Sequence, residues 1–241
     1  FGSAPKFPTP HNLYFLMRYW HLTKENEALK MVEQTLDSMH RGGMYDHIGY
    51  GFSRYSTDRK WLVPHFEKML YDNALLSIAY LEAYQATKND KYAEVAREIF
   101  TYVLRDMTSP EGGFYSAEDA DSEGEEGKFY VWSFDEIRKV LGEDSHKFSK
   151  YYGITEKGNF EGHNIPNLLN GNIPEEDKWL MDLCRQKLFD YRAARTHPYK
   201  DDKILTAWNG LMIAALSMGG RILGEQGYTD AARAAVHFIF N

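Results

Sequence analysis

The sequence predicts an all-α fold, a partial toroid of inner and outer helices paired as hairpins, with a short β-hairpin in the rim loops. Three observations predict it. Helices apolar nearly all round alternate with helices apolar along one stripe, the links inside each pair are short, and the links between pairs are long.

Leu13–Leu22 (LYFLMRYWHL), Asn73–Ala83 (NALLSIAYLEA) and Trp208–Met218 (WNGLMIAALSM) are the apolar segments, which fits burial on most sides. Leu29, Val32, Leu36 and Met39 form a stripe backed by Lys30, Glu33, Gln34 and Asp37. Tyr92, Val95, Ala96, Ile99 and Val103 repeat the pattern, with Lys91, Glu94, Arg97, Glu98 and Thr101 opposite; spacings of three and four residues mark an amphipathic helix. Thr229–Phe240 closes the series. The short links, about Thr23–Asn26, Lys88–Asp90 and Gly224–Tyr228, join antiparallel neighbours. The long returns, Arg41–Tyr71, Thr108–Trp132 and a broken region through Lys157–Asp202, must then share the opposite end, and long ordered loops usually carry function. Gly42-Gly43-Met44-Tyr45-Asp46 recurs as Gly112-Gly113-Phe114-Tyr115-Ser116, read as glycine helix caps at equivalent points of two structural repeats. Phe129–Trp132 (FYVW) reads as a strand that pairs with the Tyr115 segment across the rim.

Composition narrows the function classes. Of 241 residues, 43% are hydrophobic, enough for a core. The net charge of −7, with no Lys/Arg run, argues against nucleic acid as the main partner. The longest apolar stretch, Leu211–Met218, is far short of the roughly 18 residues of a membrane helix. One cysteine, Cys184, excludes an intramolecular disulfide and any CxxC pair, and favours a reducing, cytoplasmic setting. Aromatics reach 15%, with 17 Tyr; such rings suit a wet sugar cleft, although a large helical core explains them first. The chain starts without Met at Phe1 and stops at Asn241 inside a helical pattern, so both ends read as cut and 1–241 as one truncated domain.

The chemistry-bearing residues gather in the long loops. Gly42–Asn73 holds Tyr45, Asp46, His47, Arg54, Tyr55, Asp58, Trp61, His65, Glu67, Asp72 and Asn73. Asp72 and Asn73 stand where a buried helix begins, so either could be an N-cap; equally, a carboxyl delivered to the ring's mouth can act as general acid or base. His65 beside Glu67 is a plausible proton-transfer pair, or a histidine bonded within its loop. Glu118-Asp119-Ala120-Asp121 begins like a calcium loop, but Tyr130 stands where the bidentate Glu belongs, and neither HExxH nor paired cysteines exist, so no metal is expected. Asp202, Trp208 and Asn209 repeat the placement of Asp72-Asn73 at a helix start.

FGSAPKFP (Phe1–Pro8), GGMYDHIGYGFSRYSTDRKWLVPHFEKMLYDNA, GGFYSAEDADSEGEEGKFYVW and DDKILTAWNGL resemble the YyaL-like proteins, whose animal relatives are the spermatogenesis-associated, thioredoxin-domain-containing proteins. The resemblance implies the first part of an (α/α)6 barrel of the six-hairpin glycosidase type, the family's N-terminal thioredoxin-like domain being absent here. It also implies kinship with unsaturated glucuronyl hydrolases, where an Asp followed by Asn at an inner-helix start is the acid/base, and with sugar 2-epimerases, where histidines shuttle the proton. Asp72 matches the first pattern, while His47 and His65 are available for the second.

The expectation is therefore acid/base chemistry on a small saccharide without cofactor. Asp72 transfers the proton, Glu67, His65 and Asp119 assist, and Tyr45, His47, Arg54, Trp61, Glu118, Asp202, Trp208 and Asn209 line the cleft. The alternative is a non-catalytic ligand-binding or scaffold module serving a thioredoxin-like domain. An open toroid edge would also invite self-association.

Overall fold

A computed structural model describes residues 4–241; the first three residues of the FGSAPKFP segment lie outside the described residues. Three helical hairpins form the frame: α1 (Pro10–Thr23) with α2 (Asn26–Arg41), α3 (Leu70–Thr87) with α4 (Asp90–Asp106), and α8 (Thr206–Leu223) with α9 (Gln226–Phe240). Each hairpin turns in two residues by the same device. Lys24, Lys88 and Gly224 take the left-handed conformation (φ 62°, 60° and 74°), followed by extended Glu25, Asn89 and Glu225. A left-handed residue ends the helix and releases its last carbonyls, a role that glycine fills without a Cβ penalty.

The first members, α1, α3 and α8, pack side by side, and each carries its partner on the outside. α3 is buried nearly all round, from Leu70 and Ala74 to Leu81 and Ala83, as its uniform apolarity predicts. The stripe of α4 is buried as read, and that of α2 runs through Ala28, Val32, Leu36 and Met39. α1 departs from expectation: only Pro10, Leu13 and Met17 are buried, while Phe15 is 66% and Leu22 82% exposed. An apolar helix is buried only where another element covers it, and one flank of α1 meets none among the described residues.

Between α4 and α8 the chain builds a second core. α5 (Phe134–Leu141), α6 (Ser145–Tyr151) and α7 (Lys178–Arg192) enclose Trp132, Ile137, Phe148, Met181, Cys184 and Leu188. α5 opens on a capping box in which Ser133 and Glu136 exchange hydrogen bonds.

The long connections meet at one end of the helices. Lys68–Met69 (β3), Ala117–Glu118 (β4) and Lys200–Asp201 (β7) come from three different loops and pair in the order β3-β4-β7. Two further antiparallel pairs decorate the rim, Tyr55–Ser56 (β1) with Pro64–His65 (β2), and Asp121–Ser122 (β5) with Glu125–Glu126 (β6). The rim hairpin is thus β5–β6, turning on Glu123 (φ 55°) and Gly124 (φ 77°). Phe129–Trp132 is not its partner strand: Phe129 and Tyr130 lie in a turn, and Trp132 makes a single bridge to Asn164. Gly42 caps α2 as read, its N–H bonding to the Ser38 carbonyl, though in extended rather than left-handed backbone, whereas α4 is capped by Met107 and Gly112 (φ 98°) lies in the turn beyond it. A Cβ on Gly42 would lie 2.0 Å from the Trp61 carbonyl oxygen, and one on Gly43 2.2 Å from that of Leu62, so close backbone approach demands glycine there.

Candidate active site

Strand register sorts the rim residues before any chemistry is invoked. In the β3-β4-β7 sheet Met69, Ala117 and Asp201 stand opposite one another, as do Lys68, Glu118 and Lys200. Directly paired residues project to the same face. The Lys68 row faces inward: Lys200 pairs with Glu118 at 3.4 Å, Glu118 accepts from the Tyr102 hydroxyl at 2.7 Å, and the Lys68 ammonium reaches Asp46 at 2.8 Å. Asp46 is the hub, taking a two-pronged Arg192 guanidinium at 3.0 and 2.8 Å and the amides of Ile48 and Gly49, both at 3.0 Å. Burial alone would raise this carboxyl; Arg192 and Lys68 outweigh it and hold Asp46 well below the usual carboxylate range.

At the start of α3 the environment is different. Asn73 is fully buried and clasps the Phe52 backbone from both sides, accepting from its N–H (2.8 Å) and donating to its carbonyl (3.0 Å), while also donating to the Met69 carbonyl. That clasp fixes the start of the helix, and with it the place of the neighbouring Asp72. Asp72 is 6% exposed, and its Oδ2 has no hydrogen-bond partner. Burial pushes its carboxyl up to about 7, against the opposing pull of Tyr71 and Arg54; Glu67 adds to the rise.

Around Asp72 lie groups from two loops and a second inner helix. Arg54 pairs with Glu67 at 3.0 Å; His65 lies 3.7 Å from Glu67 and 2.7 Å from Glu126 of β6, with the Tyr55 ring stacked on it at 5.0 Å. Tyr71 meets the half-buried Trp208 edge-on at 4.8 Å between ring centres. Arg54, His65 and Glu67 therefore form one charged cluster whose field reaches Asp72, and Trp208 stands against the adjoining Tyr71. The start of α3 thus holds a carboxyl raised to about 7 by burial, with one buried oxygen unpartnered, near a carboxylate–guanidinium pair and two aromatic rings.

The other sequence candidates stand elsewhere. Tyr45 and His47 are buried on the flank, where Tyr45 donates to Glu98 at 2.6 Å and the two rings lie 5.1 Å apart, next to His40; burial raises Glu98 to about 7 and lowers His47 to about 4. Glu118 sits beneath the sheet, and Trp61 is buried under the Lys6 ammonium, 4.3 Å from the ring centre. Asn209 repeats the Asn73 clasp on Phe114, with bonds of 2.8 and 2.9 Å, so its amide is consumed by the backbone. Asp119 and Asp202 are exposed on the same rim; Asp119 turns back to its own loop at the Asp121 amide. Pairing puts Asp201, not Asp202, opposite Met69 and Ala117. Sequence reasoning passed over Tyr71, Glu126 and Arg192. Tyr71 was adjacent to Asp72, but nothing local signals Arg192, which reaches Asp46 across 146 residues of chain.

Among the described residues, no group of three or more His, Cys, Asp or Glu side chains is arranged to hold a metal ion. Clefts of 390 to 650 Å³ indent the surface, and Asp72 does not line the five whose walls include Lys128, Trp20, Arg59, Phe7 and His146.

The hairpin frame and its decorated rim define the class of fold, part of an (α/α)6 toroid of the kind found in glycoside hydrolases. A family 76 glycoside hydrolase from a bovine Bacteroides thetaiotaomicron strain superposes with a TM-score of 0.56 at 11% identity, covering 95% of this chain and 33% of that one. An α-1,6-mannanase variant from Salegentibacter, solved with α-1,6-mannotriose, gives 0.54 at 14% identity over 97% of this chain and 47% of its own. No family model matches the sequence. Within the class, the chain belongs to the family of spermatogenesis-associated protein 20, being 40% identical to the human and 39% to the mouse protein over 99% of its length. An uncharacterised Caenorhabditis elegans protein is 33% identical over the same share. The chain spans about a third of the length of these relatives, 35% of the human protein and 38% of the nematode one.

No helix among the described residues is long and apolar enough to cross a membrane.

Proposed function

We propose that this chain contributes a carbohydrate-active site in which Asp72 is the proton donor, the chemistry being acid/base catalysis on a saccharide. The observation that carries the reading is the Asp72 carboxyl at the start of α3, raised by burial to about 7 with its buried Oδ2 left without a hydrogen-bond partner. A group protonated near neutral pH can give its proton to a glycosidic oxygen and take one back from water. Glu67, paired to Arg54, is the second carboxyl of a two-carboxylate hydrolysis, and Tyr71 with Trp208 offers aromatic faces to a sugar ring. The glycoside hydrolase neighbours lend the fold a precedent for such a site, and the mannotriose bound by one of them makes manno-oligosaccharides the first ligands to try.

A second reading has its own support. Asp72 is only 6% exposed and opens into no described cleft, while Arg54, Glu67, His65 and Glu126 largely satisfy one another; a ligand-binding module without turnover would show the same. The two readings part in a screen of manno-oligosaccharides, other sugars and uronides against the full-length protein and its Asp72→Asn variant, with products followed by mass spectrometry. Turnover in the wild type that falls by roughly 10²–10⁴-fold in the variant supports catalysis. Equal turnover in both removes Asp72 from the mechanism, and binding without turnover establishes the module.

A further inference from the structure

Away from Asp72, a cleft of 650 Å³ runs between the end of α2, the Arg59–Leu62 loop and the Gly153–Asn170 segment. It continues into a second cleft of 420 Å³, with which it shares Lys6, Ser38 and Trp61. In a chain of net charge −7, the described residues lining this joined groove include three cations, Lys6, Arg59 and Lys60, and no carboxylate.

The cations are also unspent. Among the described residues, none of the three lies within ion-pair distance of an acid; Lys6 donates instead to the Arg59 carbonyl at 3.3 Å and rests over the Trp61 ring. Asp58 is the acid whose field Lys6 feels, but its Oδ1 is engaged by the Ser56 hydroxyl at 2.8 Å and the Leu62 amide at 2.9 Å. Burial lowers the Lys6 ammonium, Asp58 works against this and Arg59 adds to it; a bound anion would reverse the balance. The 630 Å³ cleft behind β5–β6 shows the contrast. Its cations are already neutralised, Lys128 by Glu123 at 3.2 Å and Arg195 by Glu136 at 3.0 Å. Unpaired charge in a concave wall focuses field lines on a ligand of opposite sign, and the volume lies in the ordinary range for small-molecule sites, ~300–1,000 Å³.

We propose that the Lys6–Arg59–Lys60 groove binds a small molecule carrying an oxyanion, a phosphate ester or carboxylate about the size of a sugar. Arg59 and Lys60 grip the oxyanion, while Ser38, Thr155 and Asn170 present polar edges to the neutral part of the ligand. This site is separate from Asp72, so it stands whether or not that residue is catalytic.

The test is calorimetric titration of the full-length protein with inorganic phosphate, glucose 6-phosphate and glucuronate, repeated at two salt concentrations. A double variant, Arg59→Glu with Lys60→Glu, reverses two exposed charges without touching packed atoms, and Lys203→Glu on the rim serves as control. Expected is saturable binding of at least one probe, weakened by salt, at least about tenfold weaker in the double variant and unchanged in the control. A preference for the phosphate ester or for glucuronate assigns the oxyanion. No saturable binding of any probe, or equal binding in the double variant, overturns the proposal; matching thermal midpoints for the three proteins exclude misfolding as the cause.

Discussion

A buried carboxyl that stays protonated to about 7 costs the fold stability at neutral and higher pH. The Asp72 proton is held in the folded chain well above its ordinary 3.8, so the unfolded state ionises first as pH rises. Folding stability is unaffected below about pH 4, falls between there and 7, and carries the full cost above, on the order of 4 kcal/mol. Asp72→Asn therefore stabilises the protein at pH 8 by roughly 1–4 kcal/mol and leaves it nearly unchanged at pH 4, even though it removes the proposed proton donor. Urea unfolding at pH 4, 6 and 8 checks this, and because Glu98 also titrates near 7, the difference between variant and wild type isolates Asp72. Asp46 has the opposite sign. Its lowered carboxyl stabilises the fold above about pH 4, and that contribution is lost as pH falls below it. Asp46→Ala leaves Lys68 and Arg192 buried without a counter-charge and costs about 3–5 kcal/mol, whereas adding Lys68→Met and Arg192→Met recovers most of the loss. Denaturation midpoints of the single and triple variants decide whether the network is held by charge or by packing.

At the scale of elements, Asn73 and Asn209 perform one job at the fourth residue of α3 and α8. Each ties the backbone of a loop phenylalanine, Phe52 or Phe114, to the start of an inner helix. Alanine at either position strands a buried N–H and C=O and costs roughly 2–4 kcal/mol. Asn73→Ala also frees the turn that places Asp72, so it lowers any turnover along with stability, while Asn209→Ala loosens mainly the Phe114 loop; amide exchange at Phe52 and Phe114 separates the two. The helices themselves were legible. Period and polarity located α2, α3, α4, α8 and α9, and short links paired them. The Ser133-x-x-Glu136 box that starts α5 is a signal of the same local kind. Two-residue strands such as β3 and β4 were not legible, because their residues are chosen by the partner loop and carry no alternation of their own.

For the whole molecule, helices of the hairpins and of the second core leave large apolar side chains exposed among the described residues. Phe15, Leu22, Trp179 and Phe240 are 66%, 82%, 75% and 85% exposed. Exposed large apolar side chains favour association where they lie side by side, as Phe15 and Leu22 share one helix. In sedimentation velocity, chain 1–241 is expected to show concentration-dependent oligomers, shifted toward monomer by Phe15→Lys with Leu22→Lys. A monomer at all concentrations would show that these side chains are too scattered to act together.

The order of amphipathic and apolar helices, the hairpin pairing and the common side of the long loops followed from the sequence alone, because each depends on residues within a few turns of one another. Which rim residues come together did not. Arg54, His65 and Glu67 cluster beside Asp72 with Trp208 across Tyr71, while Tyr45, His47, Trp61, Glu118 and Asn209 serve the flank or the scaffold. That sorting follows from strand register, from the clasp of Asn73 and from ion pairs spanning up to 146 residues. A side chain's partner is set by which distant backbone passes beside it, and only the folded chain brings that backbone into place.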